Sequence, residues 1–386
     1  MIADLIFWGC VAWLAYVYAG YPVVLSLVSL LRRVSPVIRE DILPSVSVLI
    51  SARNEEKDIG WKVEQTLAWD YPSDRLEVLV ASDASDDRTD DILRSITDKR
   101  LRFVRTRTHG GKIRALNTLA EQAKGDLLFF TDANASIEPG CLRRMVRHFA
   151  DGRVGCVTGT SRPLPETENG AGAYFSFESW ISSLESRLGS VLVADGAIHC
   201  ARRALYTPLD PNLANDLELP LRIGHAGFWT IFEPEAIAVE RETSSPREEF
   251  NRRRRICAQG ALGMWRLRHA LGGLRGWQFV SHKFMRWLTL VPLVLGSLAT
   301  VALASQFPFS ALLWLEVLFY SLALLGFILA LYGRKTPRAF SVPFYVLLGA
   351  SGTLSGVVET CFGRRFDVWT PPSLTRGIEG LSDQGR

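Results

Sequence analysis

The sequence has no closely spaced cysteines and no large excess of charge of one sign. Its six cysteines lie at positions 10, 141, 156, 200, 257 and 361, and none forms a CxxC pair. We therefore expect reduced core cysteines rather than a zinc site or a disulfide framework. The formal net charge of +4 is spread over 386 residues, which is too weak to indicate nucleic acid as a partner.

Two common nucleotide-binding fingerprints are also missing. A dinucleotide fold has GxGxxG after its first strand, and a P-loop has GxxxxGK[ST]. The segment Gly110-Gly111-Lys112 comes nearest to a P-loop, but Ile113 follows the lysine. A nucleotide bound by this chain must therefore be held in another way.

Long apolar runs, in contrast, are abundant, and 48% of the residues are hydrophobic. Residues 5–31 carry no charge and are numerous enough to cross a bilayer. A cleaved signal peptide would have a shorter apolar core after a basic start, whereas this run follows MIAD and ends at Arg32 and Arg33. Residues 1–33 are thus predicted to be an uncleaved transmembrane anchor whose C-terminal end lies in the cytoplasm.

The C-terminal third contains a basic segment and three more apolar runs. Residues 246–286 are rich in arginine and lysine, which is typical of helices at a cytoplasmic membrane surface. Apolar runs follow at about 287–305, 309–332 and 340–362, and residues 363–386 form a tail. We expect about three transmembrane segments here, so the chain would be a multi-pass protein.

The last apolar run leaves two topologies open. It contains Gly349, Gly352, Gly356 and Glu359. A full crossing would place the basic tail outside the cytoplasm, against the positive-inside rule. A re-entrant or kinked segment would return that tail to the cytoplasm.

Between the membrane segments, residues 44–245 alternate between short apolar runs and helical patterns. Strands are predicted at 45–51, 76–82, 101–105 and 126–132, and helices between them at 55–69, 86–98 and 113–124. Such alternation is typical of right-handed βαβ units and a mostly parallel sheet. The fold class is therefore α/β, with a sheet of the nucleotide-binding type.

Polar residues follow each of the four predicted strands. In chain order they are Glu55, then Asp83, then Gly110-Gly111-Lys112, then Asp132 and Asn134. A single cluster of this kind could be a helix cap. Four clusters at one edge of a sheet favour a ligand, because ligands of open α/β sheets bind outside the carboxyl ends of the strands.

The side chains in these clusters suit a sugar nucleotide. A carboxylate such as Asp83 can accept hydrogen bonds from a base or a ribose, and Lys112 after two glycines can approach a diphosphate closely. Asp132 and Asn134 offer the hard oxygen ligands that Mg²⁺ or Mn²⁺ prefers.

The order and spacing of five segments resemble the family 2 glycosyltransferases of GT-A fold. The likeness is greatest to their membrane-integrated branch, which includes hyaluronan, chitin and cellulose synthases. The segments are SVLISARNEEKDI, EVLVASDASDDRTDDI, GGKIRALNTLAEQAKGDLLFFTDANASIEPG, ADGAIHCARR and NDLELPLRIGHAGF. The resemblance implies a Rossmann-like GT-A nucleotide-sugar domain over 44–245, flanked by transmembrane helices.

The resemblance also implies roles for individual residues in donor binding. Ala52, Glu55 and Asp83 would contact the nucleoside, and Lys112 the diphosphate. Asp132 and Asn134 would hold Mg²⁺ or Mn²⁺, with Asp132 also contacting the donor. The second acidic position of the family's Asp-x-Asp motif is asparagine here, so metal dependence is expected to be weaker.

Inversion at the anomeric carbon requires a base that takes a proton from the acceptor hydroxyl. Asn215-Asp216 resembles the family's Glu-Asp pair, and Asp216 is the candidate base. An alternative role for Asp216 is the N-cap of the following helix, since Pro220 suits a helix start. Gly196 could let an acceptor sugar approach the backbone, or could serve only a tight turn between strands.

An arginine run occupies the place of the Gln-x-x-Arg-Trp motif of processive relatives, where Arg252, Arg255 and Ile256 correspond by order. The arginines could bind the leaving diphosphate, or the run could be a basic patch that faces solvent or lipid headgroups. The stacking tryptophan has become isoleucine, which argues against long-chain processive synthesis unless Trp265 substitutes for it. Residues 366–376, FDVWTPPSLTR, faintly resemble the gating segment of such synthases.

The resulting hypothesis is an inverting glycosyltransferase of the bacterial inner membrane with its catalytic domain in the cytoplasm. It would transfer sugar from a nucleoside-diphosphate sugar, most simply a UDP-sugar, to a saccharide or lipid-linked acceptor. Four membrane crossings are few for a continuous polysaccharide channel. Such a channel would therefore need a homo-oligomer or an export partner. The alternative is a catalytically silent membrane sensor of sugar nucleotides.

Overall fold

The structure is a computed structural model that describes residues 1–32, 34–164, 172–189, 191–241, 245–334 and 336–364. The tail segment 366–376 that resembles a gating loop lies outside these residues.

An eight-stranded mixed sheet lies at the centre of the fold. Its strands are β1 (Val46–Ala52), β2 (Leu76–Ser82), β3 (Leu101–Arg105), β4 (Leu127–Asp132), β5 (Ser136–Ile137), β6 (Val154–Pro163), β7 (His199–Arg202) and β8 (Trp229–Glu240). Their spatial order is β3-β2-β1-β4-β7-β6-β8-β5. The first four strands agree with the sequence prediction to within one residue.

One half of the sheet follows the predicted parallel arrangement and the other half does not. β3, β2, β1 and β4 are mutually parallel. β7 runs antiparallel to both β4 and β6, whereas β6 and β8 are parallel. The expectation of a mostly parallel sheet therefore holds only for the half formed by consecutive βαβ units, because an antiparallel strand needs no helical crossover.

Fourteen α-helices accompany the sheet in the described part of the chain. Those between β1 and β8 in the chain are α3 (Ile59–Leu67), α4 (Thr89–Ser95), α5 (Lys112–Gln122), α6 (Cys141–Val146), α7 (Gly172–Arg187) and α8 (Asn215–His225). Those near the termini are α1 (Ile2–Ala15), α2 (Tyr21–Leu31), α9 (Pro246–Arg266), α10 (Gly273–Gln278), α11 (Met285–Trp287), α12 (Leu290–Ala302), α13 (Phe309–Leu331) and α14 (Arg338–Cys361).

The central strands are buried on both faces. Val48, Ile50 and Phe129 pack into the core on one face, while Leu49 and Phe130 pack against α5 and α8 on the other. Successive side chains of a strand point to opposite faces, so a strand covered on both sides must be apolar throughout. This explains why β4 is apolar until it reaches the sheet edge at Thr131 and Asp132.

Within the described residues, three helical stretches are long and apolar enough to cross a membrane: Ile2–Leu31, Phe309–Leu331 and Arg338–Cys361. The predicted segment at 287–305 differs, because α12 has only 13 residues. It forms a bent pair with Gly273–Trp287 at an angle of 58°. It is therefore not a straight crossing of its own.

The last apolar run, for which the sequence leaves both a full crossing and a re-entrant or kinked segment open, forms one continuous helix, α14, of 24 residues. Its glycines let α9 approach. A Cβ on Gly356 would overlap the carbonyl oxygen of Arg254 in α9, and one on Gly352 would lie 3.1 Å from the carbonyl oxygen of Phe250. The expectation of core cysteines was wrong at one position, because Cys361 at the end of α14 is exposed.

Candidate active site

The ends of β1, β2 and β4 bring several predicted residues to one edge of the sheet. Ala52 pairs with Ser82, and Ser51 with Asp132, in the parallel register. The backbone N–H of Asp83 donates to the carbonyl oxygen of Ala52 at 2.8 Å. Glu55 is 5% exposed in the loop after β1, so Ala52, Glu55 and Asp83 lie at the same edge as Asp132.

Asp83 shapes the glycine loop that precedes Lys112. Its carboxylate accepts hydrogen bonds from the backbone N–H groups of Gly110 at 2.8 Å and Gly111 at 2.7 Å, and pairs with His109 at 2.7 Å. Burial raises the pKa of Asp83, but these hydrogen bonds outweigh it and lower the pKa overall. Gly111 has φ +85°, which favours glycine. Direct contact between Asp83 and a nucleoside stays a prediction.

Lys112 begins α5 and connects the two sides of the site. Its ammonium forms an ion pair with Asp132 and donates to the carbonyl oxygen of Gly196 at 3.4 Å. Burial lowers the pKa of Lys112, but the neighbouring Asp132, Asp216 and Glu240 outweigh burial and raise it. The lysine is therefore held as a cation in the cleft, as phosphate binding requires.

Gly196 lies beside both Lys112 and the candidate base. It occupies a turn closed by a bridge between Asp195 and Ile198. A Cβ at Gly196 would lie 3.3 Å from Oδ2 of Asp216 and 4.0 Å from Nζ of Lys112. Gly196 thus serves a tight turn, and the turn places its backbone against the two charged groups.

Asp216 lies in the first turn of α8 but does not cap it. The N-cap is Ala214, which makes no side-chain capping hydrogen bond, so the alternative role of Asp216 as an N-cap is wrong. Pro220 lies inside the helix four residues later and has no N–H to donate to the carbonyl oxygen of Asp216. That oxygen instead accepts from the N–H of Ala194 at 2.7 Å, which ties α8 to the turn containing Gly196.

Charges of both signs surround the Asp216 carboxylate. Burial raises its pKa, Lys112 lowers it, and Asp195 raises it again; the net effect is a raised pKa. Arg255 lowers the same pKa and Asp132 raises it. A carboxylate with a raised pKa is a stronger base than an ordinary aspartate, which suits proton abstraction.

Two acidic residues of the cleft were not predicted. Asp195 accepts hydrogen bonds from the N–H and hydroxyl of Ser161, both at 2.6 Å. Glu240 ends β8, and burial together with Asp132 and Asp195 raises its pKa to about 8. Asp195 stands in the ADGA segment, which the resemblance includes. Glu240 follows an ordinary strand pattern, so only the pairing of β8 with β6 brings it to the site.

His199 and Asn215 link two elements that border the cleft. Nδ1 of His199 lies 2.8 Å from the carbonyl oxygen of Asp195, and Nε2 lies 3.4 Å from Nδ2 of Asn215. Burial lowers the pKa of His199 to about 4, so the ring is neutral, with Nδ1–H donating and Nε2 accepting. The His199 ring thereby joins the Gly196 turn to the start of α8.

The arginines of α9 reach the same group of charges. Burial lowers the pKa of Arg255 to about 10, and Asp216 counteracts this. Arg252 pairs with Glu249 at 3.0 Å and also interacts with Glu240. Trp265 lies ten residues beyond Arg255 on α9, about 15 Å along the helix axis. It therefore does not take the place of the tryptophan that Ile256 replaces.

A divalent cation fits the donor set at the end of β4. Asp132 and Asn134 supply one carboxylate and one amide, and the Asp132 side chain is 33% exposed. No cluster of three or more His, Cys, Asp or Glu ligands occurs in the described residues. Mg²⁺ needs no such cage, since it is commonly bound by one or two carboxylates together with substrate phosphates and water.

Comparisons with known proteins indicate the family and the fold. The model for glycosyl transferase family 2 matches residues 47–187, and that for glycosyl transferase family group 2 matches residues 127–334, more than half of the chain. The chain is 30% identical over 254 residues to the beta-monoglucosyldiacylglycerol synthase of Synechocystis sp., covering 60% of this chain and 52% of the relative. It is also 30% identical over 215 residues to the probable glycosyltransferase YdaM of Bacillus subtilis, covering 52% and 51%.

The chain therefore spans about half the length of the curated relatives it matches. Among solved structures, the mannosyltransferase PcManGT from Pyrobaculum calidifontis, in complex with GDP-Man and Mn²⁺, has a TM-score of 0.73 at 21% identity. That match covers 93% of this chain and all of the other, and it confirms the predicted GT-A fold. The protein thus belongs to the family 2 glycosyltransferases.

Proposed function

We propose that the protein transfers a sugar, with inversion, from a nucleoside-diphosphate sugar to a hydroxyl group of a membrane lipid or lipid-linked saccharide. The observation that carries this proposal is the meeting of Lys112, Asp132, Gly196 and Asp216 in one cleft. These residues span 105 positions of the chain. Even so, Lys112 contacts Asp132 and Gly196, and Gly196 adjoins Asp216.

In this proposal Asp216 is the general base. Its carboxylate lies beside the Gly196 turn, so an acceptor hydroxyl against this turn would be within reach of the carboxylate. Proton removal makes the hydroxyl oxygen a stronger nucleophile toward the anomeric carbon. Inversion follows because attack comes from the face opposite the leaving diphosphate.

Lys112 and Arg255 would stabilise the leaving group. Each of them lowers the pKa of Asp216, which supports a position of both cations near its carboxylate. Negative charge grows on the diphosphate as the glycosidic bond breaks, and preorganised cations stabilise that charge. Asp132 and Asn134 would hold a divalent cation, which supplies further charge stabilisation to the diphosphate when bound.

A lipid acceptor is supported by the position of the site next to the membrane helices. Arg255 lies on α9, and α9 packs directly on α14, which is long and apolar enough to span a membrane. The relative from Synechocystis is named for a glucosylated diacylglycerol. We therefore favour a multi-pass membrane protein whose acceptor hydroxyl lies at the membrane surface. Turnover with soluble saccharides but not with lipid acceptors would contradict this choice of acceptor.

The test uses the full-length protein in lipid nanodiscs with Mg²⁺ or Mn²⁺ and a panel of UDP- and GDP-sugars. Release of nucleoside diphosphate is measured with diacylglycerol, with a lipid-linked saccharide and with soluble saccharides. For Asp216→Asn we expect turnover at least 100-fold lower, because general-base catalysis contributes about 10²–10⁴-fold. Donor binding should remain within about threefold, since the change removes charge but little volume.

Asp91→Asn is the matched control, because Asp91 is an exposed aspartate of α4 outside the cleft. It should leave turnover unchanged. Full activity of Asp216→Asn would overturn the assignment of the base. Donor binding without turnover by the wild-type protein, across the whole panel, would instead support the silent sensor.

A further inference from the structure

Lys62 is a buried lysine that the proposed reaction does not use. It lies on α3 and is 0% exposed. Ile59, Lys62, Val63 and Thr66 are the buried residues of this helix, and their spacing of three and four places them on one face. A lysine on such a face is rare, because burial of an ammonium is costly unless polar partners receive it.

The partners of Lys62 flank the candidate metal-binding segment. Its Nζ donates to Oγ1 of Thr131 at 2.9 Å and to the carbonyl oxygen of Ala135 at 2.6 Å. Asp132 and Asn134 lie between these two positions. One side chain therefore fixes both ends of the segment that carries them.

Lys62 also interacts with the charges of the cleft. Burial lowers its pKa to about 7, while Asp132 and Glu240 raise it, with a smaller contribution from Cys141. The amino group carries at least two N–H groups in either protonation state, which is enough for the two acceptors.

We propose that Lys62 is a positioning residue for divalent-cation binding: its buried amine holds the segment from Thr131 to Ala135 in the conformation that presents Asp132 and Asn134. This inference rests on the proposed function, because it concerns the metal of that reaction. Groups that orient metal ligands from behind typically change metal affinity by about 10–100-fold.

A neighbouring residue of α3 provides the matched control. Gln65 donates to Oγ of Ser136 at 3.0 Å and accepts from the N–H of Ile137 at 3.2 Å. It therefore makes two hydrogen bonds from the same helix to the same loop, but beyond the segment that Lys62 holds. A variant at Gln65 shows what general loosening of the loop does.

The experiment compares the wild-type protein, Lys62→Met, Thr131→Val and Gln65→Leu in nanodiscs at pH 8. Mn²⁺ binding is measured from the electron paramagnetic resonance signal of free Mn²⁺, with UDP and in parallel with GDP. Thermal unfolding and turnover are measured on the same samples. We expect Lys62→Met to weaken nucleotide-dependent Mn²⁺ binding at least tenfold, and Thr131→Val about threefold.

Gln65→Leu should lower the unfolding temperature but leave Mn²⁺ affinity within twofold of the wild type. Equal losses of affinity in Gln65→Leu and Lys62→Met would overturn the proposal, since general loosening would then explain both. Unchanged affinity in Lys62→Met would overturn it as well. If Lys62→Met does not fold, Thr131→Val decides, and unchanged Mn²⁺ affinity in that variant overturns the proposal.

Failure of this inference is distinguishable from failure of the proposed function. The proposed function fails if the wild-type protein shows no turnover with any donor and acceptor of the panel, whether or not it shows nucleotide-dependent Mn²⁺ binding. The role of Lys62 fails if the wild type shows both and Lys62→Met binds Mn²⁺ as the wild type does.

Discussion

Asp216 depends on its neighbours for its protonation state. Burial and the carboxylates Asp195 and Asp132 favour the neutral acid, while Lys112 and Arg255 favour the carboxylate. The net result is a pKa above the ordinary value of an aspartate. A general base works only when ionised, so activity should fall as the pH falls through this raised pKa.

The contribution of Asp195 can be tested with Asp195→Asn. This change removes a negative charge that raises the pKa of Asp216. We therefore expect the acid limb of the kcat/KM profile to move to lower pH in assays at saturating metal. The exposed Asp91→Asn variant should leave the limb in place. A limb that does not move, or that moves to higher pH, would contradict this account of Asp216.

Among the helices, α8 has an interior proline whose effect is local and useful. Because Pro220 has no N–H, the carbonyl oxygen of Asp216 has no partner four residues later in the helix. The oxygen accepts from Ala194 instead, two residues before Gly196. Pro220 thus lets the helix that carries the base bond to the turn against which an acceptor would lie.

Pro220→Ala restores the missing N–H. The carbonyl oxygen of Asp216 would then have two competing donors, and the link to Ala194 would weaken. We expect turnover to fall about three- to tenfold, with unchanged donor binding. The unfolding temperature should stay equal or rise, because proline in a helix interior is about 3 kcal/mol less favourable than alanine.

The matched control is Pro343→Ala, at an interior position of α14. It should alter stability without altering turnover. Wild-type turnover in Pro220→Ala, measured by release of nucleoside diphosphate, would show that the Ala194 bond does not position Asp216.

Only part of this site is predictable from the sequence, and the elements show why. Asp83, Lys112 and Asp132 follow strands joined by consecutive βαβ units, whose carboxyl ends must meet at one edge. Glu240 reaches the site through the pairing of β8 with β6, about 75 residues apart in sequence, and no local pattern encodes that pairing. Lys62 interrupts an apolar helix face, so the sequence alone indicates a solvated lysine.

At the level of the whole molecule, the contact between α9 and α14 connects the cleft to a helix that is long and apolar enough to span a membrane. The glycines of α14 allow backbone-to-backbone contact with α9, which carries Arg252 and Arg255. Glu359 of α14 pairs with Arg254 at 3.5 Å and adds a charged contact. The position of Arg255 in the cleft therefore depends on a helix that is itself long and apolar enough to lie in the membrane.

A graded series of glycine variants tests this dependence. In Gly356→Ala the new methyl group would overlap the carbonyl oxygen of Arg254 and lie 3.0 Å from the backbone nitrogen of Ala258. Backbone cannot rotate away, so α9 must shift, and Arg255 with it. In Gly349→Ala the nearest atom is Nη1 of Arg253 at 2.9 Å, at the end of a flexible side chain. Gly9→Ala, in α1, meets nothing within 4 Å.

We expect turnover to fall at least tenfold for Gly356→Ala, two- to threefold for Gly349→Ala, and not at all for Gly9→Ala. Turnover is measured in nanodiscs and normalised to folded protein. Arg255→Ala supplies the reference for loss of the arginine itself. If Gly356→Ala acts by displacing Arg255, the double variant should be no slower than the slower single variant, because changes that act through one residue are not additive. Additive losses would mean that α14 affects the cleft by a route other than Arg255. Wild-type turnover in Gly356→Ala would mean that the contact between α14 and α9 does not affect catalysis.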